Sequence, residues 1–199
     1  LKKDHLLLVD LSGPISMEAP QGGIWPEDSN AMTVRKTLDK AAEDPSIKGV
    51  LLRINSPGGT VAMSQELNAA VKRVRAEKPV VVSMGDLTAS GGYYTACAAD
   101  HIFAEPGTLT ASIGVIISSM NWKHLAEDKL GVTSVTIKSG KFKDLLNPFR
   151  TPTAEDIALV QNLINESYQD FIGAVLDGRL RALHPKTDAE KQAWTEKIR

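Results

Sequence analysis

Three short segments hold residues whose types and spacing suit acyl-transfer chemistry. Asn55-Ser56-Pro57-Gly58-Gly59 follows the apolar run Gly49 to Ile54 and precedes a helical pattern. A Pro-Gly-Gly turn there frees backbone N–H groups near a helix N-terminus, where they can cradle a developing oxyanion or another anion. The same pentapeptide also serves as a plain strand-to-helix turn. Thr88-Ala89-Ser90-Gly91-Gly92-Tyr93-Tyr94 follows the run Val80 to Met84. A serine among small residues can stand on a sharp turn with its hydroxyl exposed, while the next N–H, that of Gly91, faces the same space. Glycines follow Ser90 without preceding it as in the G-x-S-x-G elbow, so Ser90 as a helix N-cap is the competing reading.

A serine nucleophile needs a base. His5, His101, His124 and His184 all lie outside any small-residue or glycine-rich context, and His101 in Asp100-His101-Ile102-Phe103 reads as a strand-edge residue. A lysine can act instead if its surroundings lower its pKa from about 10.4 toward about 7–8, which costs roughly 3–5 kcal/mol. Lys138-Ser139-Gly140-Lys141-Phe142-Lys143-Asp144 offers three lysines, each ordinarily a solvated charge. Periodicity does not select among them.

The elements that must position these groups follow from apolar spacing. His5 to Leu11 reads as a buried strand, residues 12–30 as a long loop, and 30–44 as a helix through Val34, Leu38, Ala41 and Ala42. Met63, Leu67, Ala70, Val71 and Val74 mark a second helix, stopped by Lys78-Pro79. Further strands are expected near 100–104, 113–119 and 132–138, with a short helix at 121–129. A long helix starts at Thr153, capped by the pair Thr153 and Asp156, and the tail after Gly178 is mostly polar. The alternation argues for an α/β domain with helices packed on a largely parallel sheet.

Composition narrows the class. The 199 residues carry 23 Lys+Arg against 24 Asp+Glu, a formal charge of −1, and 5% are aromatic, so the footprint of a nucleic-acid binder is missing. Cys97 is the lone cysteine, which excludes a disulfide framework and a cysteine zinc site. Neither a metal-ligand cluster nor a dinucleotide fingerprint is visible, and no cofactor is expected. No apolar run approaches the roughly 20 residues of a membrane span, and Leu1-Lys2-Lys3-Asp4 lacks the pattern of a signal peptide. A start at Leu rather than Met suggests a piece of a longer chain, with a membrane anchor cut away.

Together these segments resemble the signal peptide peptidase A family of bacterial serine proteases, within the Clp protease and crotonase fold group. The resemblance rests on Asn55 to Gly59, Ala89 to Tyr94, Thr108-Leu109-Thr110-Ala111-Ser112-Ile113-Gly114-Val115, and Lys143-Asp144-Leu145-Leu146-Asn147-Pro148-Phe149-Arg150, in that order, and runs from about residue 5 to 180. It implies a Clp/crotonase-like fold of repeated β-β-α units in a single peptidase domain over 1–180, with 181–199 as a polar tail. It implies a Ser/Lys dyad: Ser90 as nucleophile and Lys143, five residues before Pro148, as general base. Ser112 matches a dyad-orienting serine, and Gly91 with Gly58 and Gly59 matches the oxyanion hole. Hydrophobic remnants of signal peptides are the implied substrates. The short, single-domain form further implies a homo-oligomer, an octameric ring, at the bacterial cytoplasmic membrane. The rivals are a crotonase-type acyl-CoA enzyme, for which Asp86 is the nearest acid, and a non-catalytic membrane-associated scaffold.

Overall fold

The computed structural model describes residues 3–18 and 30–198. These form five strands, β1 His5–Ser12, β2 Ile47–Ser56, β3 Val80–Ala89, β4 His101–Phe103 and β5 Leu109–Ala111. Five α-helices accompany them: α1 Ala31–Glu43, α2 Val61–Glu77, α3 Gly91–Ala96, α4 Ala154–Leu183 and α5 Asp188–Ile198. Every strand pairing is parallel, in the order β1-β2-β3-β4, with β5 also on β3. Two compact units result, one of residues 1–114 with 170–199, the other of residues 115–169.

In the first unit the strands bury alternate residues. Val9, Leu11, Leu52, Ile54, Val80, Val82 and Met84 join Val34, Leu38 and Ala41 of α1 and Met63, Leu67, Val71 and Val74 of α2 in one core. Asn30 caps α1 by accepting from Thr33 N at 2.9 Å. The opposite sheet face is open: Leu6 is 74% and Leu8 61% exposed, so β1 is buried on one side only and not throughout, as its apolar run suggested. Period-2 geometry turns those leucines away from the helices.

β3 serves two partners in succession. Val81 to Ser83 pair with β4, and Leu87 to Ala89 pair with β5. Between them the register against β2 shifts, from Ile54 opposite Met84 to Ser56 opposite Thr88. Asn55 fills this irregularity: its Oδ1 accepts from Leu87 N at 3.1 Å, and a Cβ on Gly85 would fall 2.8 Å from it. The bend carries the second half of β3 to the corner where Ser90 stands.

The C-terminal part of α4 closes on α3. Gly178 lies against Cys97, whose Cβ would be 3.3 Å from a Cβ at 178 and whose carbonyl would be closer still. Arg181 Nη2 donates to Cys97 O at 3.1 Å and Ala99 O at 3.0 Å, and Arg75 Nη1 donates to Ala98 O at 2.5 Å. These cations satisfy carbonyls at the end of α3 that have no intrahelical partner. Gly178→Ala should therefore lower stability by about 1–3 kcal/mol through overpacking, read as a lower Tm in thermal unfolding.

The second unit departs from expectation. Strands over 113–119 and 132–138 are not formed among the described residues, although both segments are apolar. Ile116, Val135 and Ile137 are 86%, 82% and 96% exposed, and an extended segment without a ladder partner does not make a strand. The short helix expected at 121–129 is a π-helical turn over Leu125–Lys129. Thr153 and Asp156 form the expected reciprocal cap: Asp156 Oδ2 accepts from Thr153 N at 2.8 Å, and Thr153 Oγ1 accepts from Asp156 N at 3.1 Å. Beyond it α4 runs past Gly178 to Leu183, and the polar tail contains α5.

Candidate active site

Ser90 occupies the corner between β3 and α3 with φ 51° and ψ −120°, a conformation costly for a residue other than glycine. As an N-cap it would bond the first turn of α3, but its side chain makes no such bond. The backbone is held instead by Ser90 N donating to Ala111 O at 2.9 Å and Ser90 O accepting from Tyr94 N at 2.9 Å. The hydroxyl has no hydrogen-bond partner among the described residues. A strained turn thus presents a free, half-buried hydroxyl at the carboxyl end of a parallel strand, where open α/β sheets place their ligands.

The glycine turn lies against that corner. Gly58 has φ +92°, and a Cβ there would stand 2.5 Å from Gly91 N and 2.7 Å from Ser90 Cβ. Gly59 is backed by Ile15: Ile15 N donates to Gly58 O at 2.9 Å and Thr60 N donates to Ile15 O at 2.8 Å. Ile15, inside the loop expected over 12–30, is thus fully buried and structured, while residues 19–29 of that loop lie outside the described residues. A Cβ on Gly91 would collide with Ser64 Oγ, which donates to Thr60 O at 2.8 Å. Each close approach demands glycine. Gly58 N donates to Ser56 Oγ at 3.1 Å, whereas the N–H groups of Gly59 and Gly91 find no acceptor among the described residues.

Ser112 follows β5 directly. Ala89 pairs with Ala111 at the end of the ladder, Ser90 N donates to Ala111 O at 2.9 Å, and both Ala111 and Ser112 have left-handed φ, 68° and 52°. Cys97 is no rival nucleophile, because it is 3% exposed and burial pushes its thiol up to about 11. Tyr93 is likewise raised by burial, and its hydroxyl accepts from Arg179 at 2.5 Å. Periodicity carried no signal for Arg179 or Arg181, since both lie beyond the apolar stripe of α4.

In the second unit the three lysines separate. Lys138 pairs with Asp144 at 2.5 Å and Lys141 pairs with Glu155. Lys143 is exposed, and its ammonium has neither an ion pair nor a hydrogen bond among the described residues. Asp144, Arg150 and Asp156 form a linked set, in which Arg150 Nη1 donates to Asp156 Oδ2 at 2.5 Å. The Arg150 guanidinium and the Thr153 backbone hold the Asp156 carboxyl far below the usual carboxylate range. Its folded-state value is depressed, so the unfolded chain binds more protons as pH falls through about 3.9, and this stabilisation is complete above that value and lost below it. Asp156→Asn should flatten the acid limb of stability between roughly pH 4 and pH 2, as read by urea unfolding at each pH.

His5, His101 and His124 are all exposed, and His124 Nδ1 sits 3.1 Å from Asp128 Oδ2. No histidine hydrogen-bonds Ser90 among the described residues. Among those residues no group of three or more His, Cys, Asp or Glu is placed to hold a metal ion.

The sheet with its single bend, its covering helices and its glycine-lined corner define a Clp/crotonase-like α/β domain. A ClpP1 variant from Listeria monocytogenes superposes with a TM-score of 0.50 at 16% identity, covering 86% of this chain and 71% of that one. The sequence model for peptidase family S49 matches residues 72–198, so the chain belongs to that family, the signal peptide peptidase A family. A candidate protease of Methanocaldococcus jannaschii is 42% identical over 178 residues, 88% of this chain and 57% of that protein. A candidate signal peptide peptidase SppA of Enterococcus faecium is 40% identical over 154 residues, 77% and 44% of the two chains. The chloroplastic serine protease SPPA of Arabidopsis thaliana is 32% identical over 200 residues, 98% of this chain and 29% of that one. The chain thus spans about half the length of the first two relatives and less of the third.

Proposed function

We propose that this chain carries the catalytic domain of a serine endopeptidase that hydrolyses hydrophobic peptides through a Ser90/Lys143 dyad. The observation that carries the reading is the Ser90 corner itself: a strained backbone, with a hydroxyl and the N–H groups of Gly91 and Gly59 alongside it that have no hydrogen-bond partner among the described residues. Lys143 in its neutral form takes the Ser90 proton as the hydroxyl oxygen bonds to the peptide carbonyl carbon. The carbonyl oxygen becomes an oxyanion facing Gly91 and the Gly58–Gly59 turn, and Ser112 orients the lysine. The lysine then protonates the leaving amine as the C–N bond breaks, and water hydrolyses the acyl-enzyme. Family membership favours this chemistry over an acyl-CoA reaction at the same fold.

The segment Thr88 to Ala96 contains no charged residue, which suits apolar, aliphatic side chains just before the scissile bond and hence remnants of signal peptides. Among the described residues no helix is long and apolar enough to cross a membrane, so tethering would fall to another segment. The exposed Ile116, Val135 and Ile137 suit burial against further copies of the chain in a ring. Sedimentation should give an oligomer; a stable monomer with full peptidase activity would overturn that part.

Acylation tests the core of the reading. Incubation with a serine-directed fluorophosphonate should add one label, and peptide mapping should place it on Ser90. A label elsewhere, or none on an intact oligomer that turns over peptide, would remove Ser90 as nucleophile.

A further inference from the structure

Lys143 stands in a stretch without regular secondary structure, yet the chain on both sides of it is tied down. On one side Lys138 Nζ donates to Lys141 O at 2.9 Å and to Asp144 Oδ1 at 2.5 Å, so a single ammonium closes the turn that contains Lys143. On the other side Arg150 reaches back: Nη2 lies 3.3 Å from both Asp144 O and Asp144 Oδ1, and Nε lies 3.0 Å from Oδ2. The same guanidinium donates through Nη1 to Asp156 Oδ2, which the capping pair fixes on the first turn of α4. The carboxylates are covered, Asp144 at 8% and Asp156 at 4% side-chain exposure. Asn147 N donates to Asp144 O at 3.0 Å, and Trp122 N donates to Pro148 O at 2.6 Å, which seats the rest of the loop.

We propose that Lys138, Asp144 and Arg150, anchored on Asp156, form a frame of positioning residues that aims Lys143 without touching the substrate. The inference rests on the reading of Lys143 as base. A lysine side chain carries about 2 kcal/mol of rotamer entropy, and a base must be held to within about 0.5 Å of its working place, so a fixed backbone is a condition for its use. The frame also settles charge. Two cations, Lys138 and Arg150, meet two carboxylates, Asp144 and Asp156, and Lys141 meets Glu155. The carboxylate adjacent in sequence to Lys143 is therefore occupied by Lys138 and Arg150. Freeing Asp144 would supply Lys143 with a counter-ion, which favours the protonated lysine.

The test measures kcat, KM and the pH profile for an apolar fluorogenic peptide in Lys138→Met, Lys138→Arg, Arg150→Lys and Lys143→Ala, each checked by thermal unfolding. Lys138 is one-third exposed, so its loss should leave the fold intact, and Arg150→Lys keeps the charge of the second tie. We expect Lys138→Met to lower kcat about 10- to 100-fold at nearly constant KM, with the acid limb displaced to higher pH by about one unit, and Lys138→Arg to restore both. Arg150→Lys should give a smaller change of the same sign. Unchanged kcat and pH profile in Lys138→Met and Arg150→Lys, beside an inactive Lys143→Ala, would overturn the frame and leave the base in place. Full activity in Lys143→Ala would overturn the dyad itself. Complete loss in Lys138→Met without recovery in Lys138→Arg would make Lys138 the base and overturn the frame.

Discussion

Ser90→Ala and Lys143→Ala should each reduce hydrolysis of an apolar fluorogenic peptide by roughly 10⁴-fold or more, and the double variant should be no worse than either alone. Non-additivity is the informative part. If Ser90 attacks only as Lys143 takes its proton, removing either group ends the same step, and what remains is the contribution of the oxyanion donors and of binding. With Lys143 as the proposed base, activity should rise with pH, because a lysine accepts a proton only in its neutral form. The structure sharpens the expectation for its neighbours. Lys141→Ala removes an exposed ion pair with Glu155 and should change kcat/KM less than about threefold, since exposed pairs contribute about 0–1 kcal/mol. The readout is kcat/KM across pH 6–10, with thermal unfolding to exclude collapse of the fold. Near-normal turnover in Lys143→Ala together with an inactive Lys141→Ala would move the base to Lys141.

The corner itself was legible because serine and glycines between an apolar run and a helical pattern mark a tight strand-to-helix turn. Gly58, Gly59 and Gly91 stand where a Cβ meets backbone or a buried side chain, and close approach of that kind leaves a mark in sequence. The apolar runs Gly49 to Ile54 and Val80 to Met84 marked β2 and β3, whose Leu52, Ile54, Val80, Val82 and Met84 lie in the core. The apolar runs at 113–119 and 132–138 misled because hydrophobicity reports a demand for burial without naming the partner, and within the described chain no ladder satisfies it. The choice among Lys138, Lys141 and Lys143 was closed to periodicity, since it turns on which ammonium finds a carboxylate, and Glu155 and Asp144 reach theirs through tertiary placement. The clasp of Gly178 and Arg181 on α3 was hidden likewise: arginines past an apolar stripe look like a solvated end until the carbonyls of Cys97 and Ala99 are seen facing them.

Gly58→Ala should cost more in turnover than in stability. At φ +92° an alanine carries a conformational penalty of about 1–2 kcal/mol, which a folded domain of this size can bear. The added methyl, however, would stand 2.5 Å from Gly91 N, 2.7 Å from Ser90 Cβ and 2.9 Å from Ala89 O, so either the turn or the nucleophile corner must shift. If the turn and Gly91 form the proposed oxyanion hole, a shift of either moves a donor away from the carbonyl oxygen, and loss of one such donor lowers kcat by about 10²–10³-fold. The remote parts of a peptide still bind, so KM should change little by comparison. Gly131→Ala supplies the control: it imposes an alanine at φ +65° with no atom within 4 Å of the new methyl, far along the chain from Ser90. It should show the smaller fall in Tm that the positive φ alone imposes, with kcat intact. Equal kcat in the two variants would detach the Gly58–Gly59 turn from the oxyanion hole and return it to the role of a strand-to-helix connection.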